Sequence, residues 1–159
     1  MGYLIVLVLI DIATVVVISV LVGMTAPRWR GRFLERDLFP VSPFRFESME
    51  YFRRFPLRTW AQRLPELGET FGGVSKNALP ERSVKHVAAA LVEVRRAQWV
   101  HWVSVMSWIV LIPFNPWWLV ALFAGILAMI NAPFLLLLRH NHYRLKRLLG
   151  RLSTTGESL

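Results

Sequence analysis

Apolar residues gather in three long runs, and the charged residues fall almost wholly between and after them. The most extended apolar stretch lies within residues 93–144: from Ala97 to Leu138, about 42 residues, there is no Lys, Arg, Asp or Glu. Only Pro113-Phe114-Asn115-Pro116 interrupts it. A bilayer core about 30 Å thick takes roughly 20 helical residues, so the pattern predicts two spans, 97–112 and 116–138, folded about that tetrapeptide. Their polar ends, Glu93-Val94-Arg95-Arg96 and Arg139-His140-Asn141-His142-Tyr143-Arg144, then meet on one side of the membrane.

The remaining run, Tyr3 through Val22, is rich in Val, Ile and Leu and predicts a first span over 3–24. It lacks the basic flank of a secretory signal and is longer than a signal core, so it reads as an uncleaved span. Arg28, Arg30 and Arg32 follow it directly. Of the 19 Lys and Arg, 14 lie between residues 25 and 96 and 5 between 139 and 159. The positive-inside rule places both blocks in the cytoplasm, with the N-terminus and the 113–116 turn outside. The expected fold is therefore an all-α integral membrane protein, one membrane domain over 1–159, N-out and C-in, in the cell membrane. Asp11 stands in the middle of the first span, where an ionisable group costs a few kcal/mol unless paired or neutral. It marks a contact with a partner protein, or a protonated side chain hydrogen-bonded to a neighbouring helix.

The cytoplasmic segment 25–96 is not a plain hydrophilic loop. Trp29, Phe33, Phe39, Phe44, Phe46, Tyr51, Phe52, Phe55 and Trp60 alternate with Arg, a composition suited to the headgroup boundary. Prolines cut it into short pieces, and Pro56 fits the first turn of a helix through Leu64. Pro80 and Glu81 open a stronger helix whose stripe, Val84, Val87, Ala88, Leu91 and Val94, runs unbroken into the second span. After the third span, Leu145, Leu148, Leu149 and Leu152 against Lys146, Arg147 and Arg151 predict a short interfacial helix over Arg144 to Leu152, with Ser153 to Leu159 frayed.

Overall composition then narrows the function. The 159 residues are 55% hydrophobic with mean hydropathy +0.44, yet carry a formal charge of +9. Segregated basicity of this kind faces anionic headgroups or phosphate-bearing substrates, and no nucleic-acid-binding motif is present. The chain has no Cys, which excludes thiol nucleophiles, disulfides and Cys-based zinc sites.

Candidate chemistry sits at the inner boundary. Glu93, Ala97, His101, Ser104 and Trp108 share one helical stripe. A neutral His101 about one turn inside the membrane has the chemistry of a general base for a hydroxyl nucleophile. Its alternative is an interfacial His hydrogen-bonded between helices. Glu93 is a carboxylate of the right type to orient it, but eight helical residues are about 12 Å, so water, substrate or another helix must intervene. Gln98, three residues before, is a weaker orienting group. Pro133 leaves the Met129 carbonyl without its helical donor, and Asn131 is placed to supply one or to contact substrate. Arg96, Arg139, Asn141 and Arg144 stand where the phosphates of a donor would approach, or are membrane anchors only. No metal site is expected from His140 and His142, which lack a nearby carboxylate. The His-plus-Asp spacing of many glycerolipid acyltransferases is absent: Leu91, Met106, Leu145 and Arg147 stand where the Asp would follow His86, His101, His140 and His142.

The pattern Glu93-x-Arg95-Arg96-Ala97-x-x-x-His101-Trp102, then Asn131-Ala132-Pro133, then Arg139-x-Asn141-x-x-Arg144-Leu145, resembles the glycosyl-4,4'-diaponeurosporenoate acyltransferases. Weaker similarity extends through Arg58-Thr59-Trp60, Leu64 to Gly68 and Phe71 to Lys76. The resemblance implies fatty acyl transfer to a sugar hydroxyl of a glycosylated carotenoid in staphyloxanthin-type synthesis. The family commonly carries an acidic residue at Gln98 and an Arg-Tyr-Asn-Arg-Pro-Arg-like run over Arg139 to Arg144. These are departures of this chain.

With that, the leading expectation is a membrane O-acyltransferase. His101 and Glu93 are its catalytic pair in role; Lys76, Arg96, Asn131, Arg139, Asn141 and Arg144 bind substrate. It needs no cofactor, taking an acyl-CoA or acyl-carrier thioester as co-substrate and a membrane glycolipid as acceptor. The other expectation is a non-catalytic lipid-binding or scaffolding subunit, with a protein partner at Asp11 or the cytoplasmic face. An open cavity lined by His101, Asn131 and Arg139 favours the enzyme; a packed boundary with those side chains mutually satisfied favours the subunit.

Overall fold

The structure, a computed structural model, describes residues 2–30, 32–63 and 83–156. Among these the architecture is wholly helical. Three helical stretches are long and apolar enough to cross a membrane: Gly2–Arg28, Val84–Phe114 and Trp117–Thr154.

Helix α1 runs Gly2–Thr25 and ends where Pro27 enters a single 3-10 turn, Ala26–Arg28. Three short helices follow: α2 (Arg32–Glu35), α3 (Met49–Arg53) and α4 (Leu57–Arg63). Ser48 caps α3 by accepting the Tyr51 N–H, and the Pro56 carbonyl accepts the Trp60 N–H at the start of α4. Pro56 thus stands one residue before the helix rather than in its first turn. The second long helix, α5, is Val84–Met106 with Ser83 as its cap, accepting from the His86 N–H. The helix start expected at Pro80 and Glu81 lies outside the described residues.

Beyond Met106 the second span tightens into a 3-10 segment, Ser107–Phe114. The Ser107 hydroxyl and backbone N–H both donate to the Ser104 carbonyl, drawing the chain into an i to i−3 pattern, and Pro113 has no N–H with which to resume α-helix. The third long helix, α6, is Trp117–Gly156, 40 residues without a break. The interfacial helix predicted over Arg144 to Leu152 is therefore the last part of α6. The change from apolar to basic sequence at Arg139 alters what surrounds the helix and leaves its backbone hydrogen bonding unbroken.

Helices α5 and α6 form the hairpin expected from the 113–116 turn. Val15 of α1 packs on its turn end with Leu111, Leu119, Val120, Phe123 and Leu127. Asp11, 3% exposed, turns into the bundle and accepts a hydrogen bond from Asn115 Nδ2 at 3.0 Å. Of the two readings of Asp11, a hydrogen bond to a neighbouring element is the one observed.

At the basic end, the aromatic segment folds onto the hairpin. Phe52 and Leu57 are buried against Leu137, with Tyr51, Phe55, Trp60 and Tyr143 around them. These rings face α6, where the sequence pattern placed them at the lipid boundary. Phe39 and Phe46 remain outward, 80% and 62% exposed. Two acidic residues fasten the segment. Glu47, 8% exposed, forms a two-point ion pair with Arg139 of α6, whose guanidinium also donates to the carbonyls of Pro40 (2.7 Å) and Ser42 (2.8 Å) and lies 4.1 Å from the Phe44 ring centre. Asp37 takes Arg95 of α5, and His142 and Lys146 of α6. Burial acts to raise the Asp37 pKa, but hydrogen bonds from Lys146 and Arg95 and the charges beside it prevail and bring it to about 2.

Both ion pairs have measurable consequences. Removing one partner of a buried pair costs about 3–5 kcal/mol because the other charge stays buried. Glu47→Ala should lower thermal stability in detergent by that order, while the double change Glu47→Leu with Arg139→Met should recover most of the loss. For Asp37 the folded pKa is depressed, so its contribution is full above the unfolded value near 4 and is lost as pH falls towards 2. Wild type should lose about 2 kcal/mol of stability across that window in an acid unfolding series. Asp37→Asn should be less stable at neutral pH and should lack that acid-dependent step.

Candidate active site

Apolar packing holds α5 against α6, and the polar residues on their facing sides are consequently paired within the hairpin. The buried face of α5 passes through Val87, Leu91, Arg95 and Gln98, at steps of four, four and three. Polar side chains thus continue the apolar stripe inward. Arg95 meets Asp37 and the Leu34 carbonyl. Gln98 is fully buried and lies 3.0 Å from His142 Nδ1, and His142 Nε2 lies 3.0 Å from Asp37. Gln98 therefore serves His142 on the next helix and not His101 on its own.

One turn further along α5, His101 Nδ1 lies 2.8 Å from Asn131 Oδ1. Its ring stacks on Phe134, with centres 4.9 Å apart and planes 17° from parallel. Asn131 is 7% exposed, and its Nδ2 donates to the Leu127 carbonyl at 2.8 Å. The Asn131 amide is thereby turned towards Leu127 and His101, not towards the Met129 carbonyl that Pro133 leaves without its helical donor. Orientation across the hairpin, one of the routes that helix arithmetic left open for His101, is the one present.

The other expected site residues are dispersed. Glu93 pairs with Arg96 one turn along α5, and Arg96 also reaches the Trp29 carbonyl. The Glu93 side chain is 38% exposed and is not a partner of His101. Arg139, expected at donor phosphates, has its guanidinium closed in by Glu47 and two carbonyls, which makes it a fastener of the 40–47 turn. Asn141 is half-buried and Arg144 is exposed on the same helix. Lys76 lies outside the described residues. Among the described residues no group of three His, Asp or Glu is placed to hold a metal.

Asp37, Glu47 and Phe134 were not singled out by sequence. In so basic a segment any acid is a candidate ion-pair partner, but Glu35 and Glu50 carry the same signal, and only the fold selects among them. A shallow groove at the turn end, lined by Trp108, Ile112, Asn115, Trp117, Val120, Ala121 and Ala124, does not include His101. Among the described residues the basic half of the hairpin is thus packed: His101 and Asn131 are bonded to each other and Arg139 is enclosed. Packing alone leans towards the subunit reading.

Comparison with known proteins decides between the two. The family model described as glycosyl-4,4'-diaponeurosporenoate acyltransferase matches residues 35–151, most of the chain. That span contains Asp37, Glu47, Arg95, His101, Asn131 and Arg139. No curated protein and no solved structure matches.

Proposed function

Because the chain belongs to the glycosyl-4,4'-diaponeurosporenoate acyltransferase family, we propose that it moves a fatty acyl group from a thioester to a sugar hydroxyl of a membrane glycolipid, with His101 as the base. The chain lies in the cell membrane with α1 entering from outside. The basic end, where both Lys and Arg blocks fall, is cytoplasmic. The single observation that carries this reading is the placement of His101 within the family-matched region. It is a titratable ring at the inner part of an apolar hairpin, held at its edge by Asn131 at 2.8 Å and on its face by Phe134.

In the step proposed, the acceptor hydroxyl gives its proton to His101 as its oxygen attacks the thioester carbonyl. The new carbon–oxygen bond forms, the carbon–sulfur bond breaks, and the proton passes to the departing thiolate. The acceptor is a glycosylated carotenoid or a similar glycolipid, whose sugar lies at the boundary and whose apolar body lies in the bilayer. The donor is an acyl-CoA or an acyl-carrier thioester, and no cofactor is needed. Exposed Arg144, with Asn141 one turn before it on α6, is suited to the donor's phosphates; Arg96 on α5 and Lys76 are assigned to donor or acceptor. Glu93 acts by holding Arg96. Arg139 supports the site from within.

Reconstituted protein supplied with glycosylated carotenoid and acyl-CoA should form the acylated product, read by mass spectrometry. His101→Ala should lower turnover by about 100-fold or more while remaining folded, the scale of a lost general base. Wild-type turnover in a folded His101→Ala protein would remove His101 from the chemistry.

A further inference from the structure

We infer that Asn131 is a positioning residue: it holds the His101 ring in the tautomer that carries its proton on Nδ1, so that Nε2 is the basic nitrogen. This rests on the acyl-transfer reading of His101 and adds which nitrogen reacts and what selects it.

The argument begins with the amide. Asn131 Nδ2 donates to the Leu127 carbonyl at 2.8 Å, one turn earlier on α6. Turning the amide over would set its oxygen against that carbonyl and its NH2 against the imidazole, so the orientation is locked. The atom left facing His101 Nδ1, at 2.8 Å, is the amide oxygen, which can only accept. Nδ1 must therefore bear hydrogen, and in the neutral ring the lone pair is on Nε2. Asn131 is 7% exposed, which limits competition from water for this bond.

A second contact fixes the ring plane. Phe134 follows Asn131 by three residues and so lies on the same face of α6, where it stacks on the imidazole. One face of α6 thus grips His101 by its edge and by its flat side. When Nε2 takes the hydroxyl proton the ring becomes a cation, and the Nδ1–H to Oδ1 bond becomes charge-assisted and stronger. The gain appears as the proton moves, so it favours the transition state over the bound substrates.

The test compares wild type, Asn131→Asp, Asn131→Leu and His101→Ala, all reconstituted with glycosylated carotenoid and acyl-CoA. Asn131→Asp keeps an acceptor oxygen for Nδ1–H and, as the neutral acid, a hydroxyl that donates to the Leu127 carbonyl in place of Nδ2; Leu keeps the branching at Cγ and has no acceptor. Asn131→Leu should lose at least about tenfold in kcat, with KM for both substrates within about twofold, and Asn131→Asp should retain most of the activity. Equal losses in the two variants, matched by equal losses in thermal stability, would reduce Asn131 to a packing role and overturn the inference. So would full kcat in Asn131→Leu. If His101→Ala itself turns over normally, the reading of His101 as the base fails instead, a separate outcome. Nitrogen-15 NMR of histidine-labelled wild type, with His101 assigned from its loss in His101→Ala, reads the tautomer even where a variant does not fold. A protonated Nδ1 is the expected result, and a neutral ring protonated on Nε2 overturns the inference.

Discussion

A guanidinium buried at the end of an apolar helix has to be met on every side, and Arg139 organises the basic end through that requirement. Its charge cannot be left in a low-dielectric interior, so its N–H donors must find acceptors close by. Glu47 and the carbonyls of Pro40 and Ser42 accept four hydrogen bonds from it, and Phe44 covers the planar face. All four lie in one turn of the segment after α2. The segment is thereby held on α6 by its ion pair, and Phe52 and Leu57 pack against Leu137 of the same helix. Asp37 repeats the device one layer over, joining the same segment to α5 through Arg95 and to α6 through His142 and Lys146.

Such fastening has a functional side. A hairpin in lipid has little hydrophobic drive to choose a helix register, because lipid tails are as apolar as its side chains. Polar bridges between the helices do choose it. Gln98 with His142 and His101 with Asn131 lock α5 against α6 at two levels, one at the basic boundary and one inside it. The inner bridge contains the proposed base. The groups that set the register are also those that set the orientation of the imidazole, so the precision of the site comes from the precision of the fold.

Much of the architecture was legible because it follows from the bilayer. Three apolar runs predict three long helices, and Pro113 to Pro116 predicts the hairpin, since length and the lack of charges are one-dimensional properties. Legibility ended where a boundary depended on surroundings. The end of the third span at Arg139 looked like the end of a helix, but backbone hydrogen bonds continue for as long as the dihedral angles permit. The aromatic residues of 33–60 looked interfacial because their composition suits lipid headgroups and a protein surface equally. Their arrangement on Leu137 depends on Glu47 and Asp37 finding particular arginines far along the chain.

The site divides in the same way. His101, Asn131 and Arg139 were singled out by residue type and depth, and the rise of a helix alone separated Glu93 from His101. Nothing local paired His101 with Asn131, 30 residues away, or enclosed Arg139 with Glu47, 92 residues away. The sequence by itself determined which groups stand near the basic end of the hairpin, because burial cost and periodicity act along one chain. Only the tertiary structure decided which groups face one another, because a hydrogen bond a few ångströms long is set by helix register and rotation, and in this chain distant ion pairs hold both.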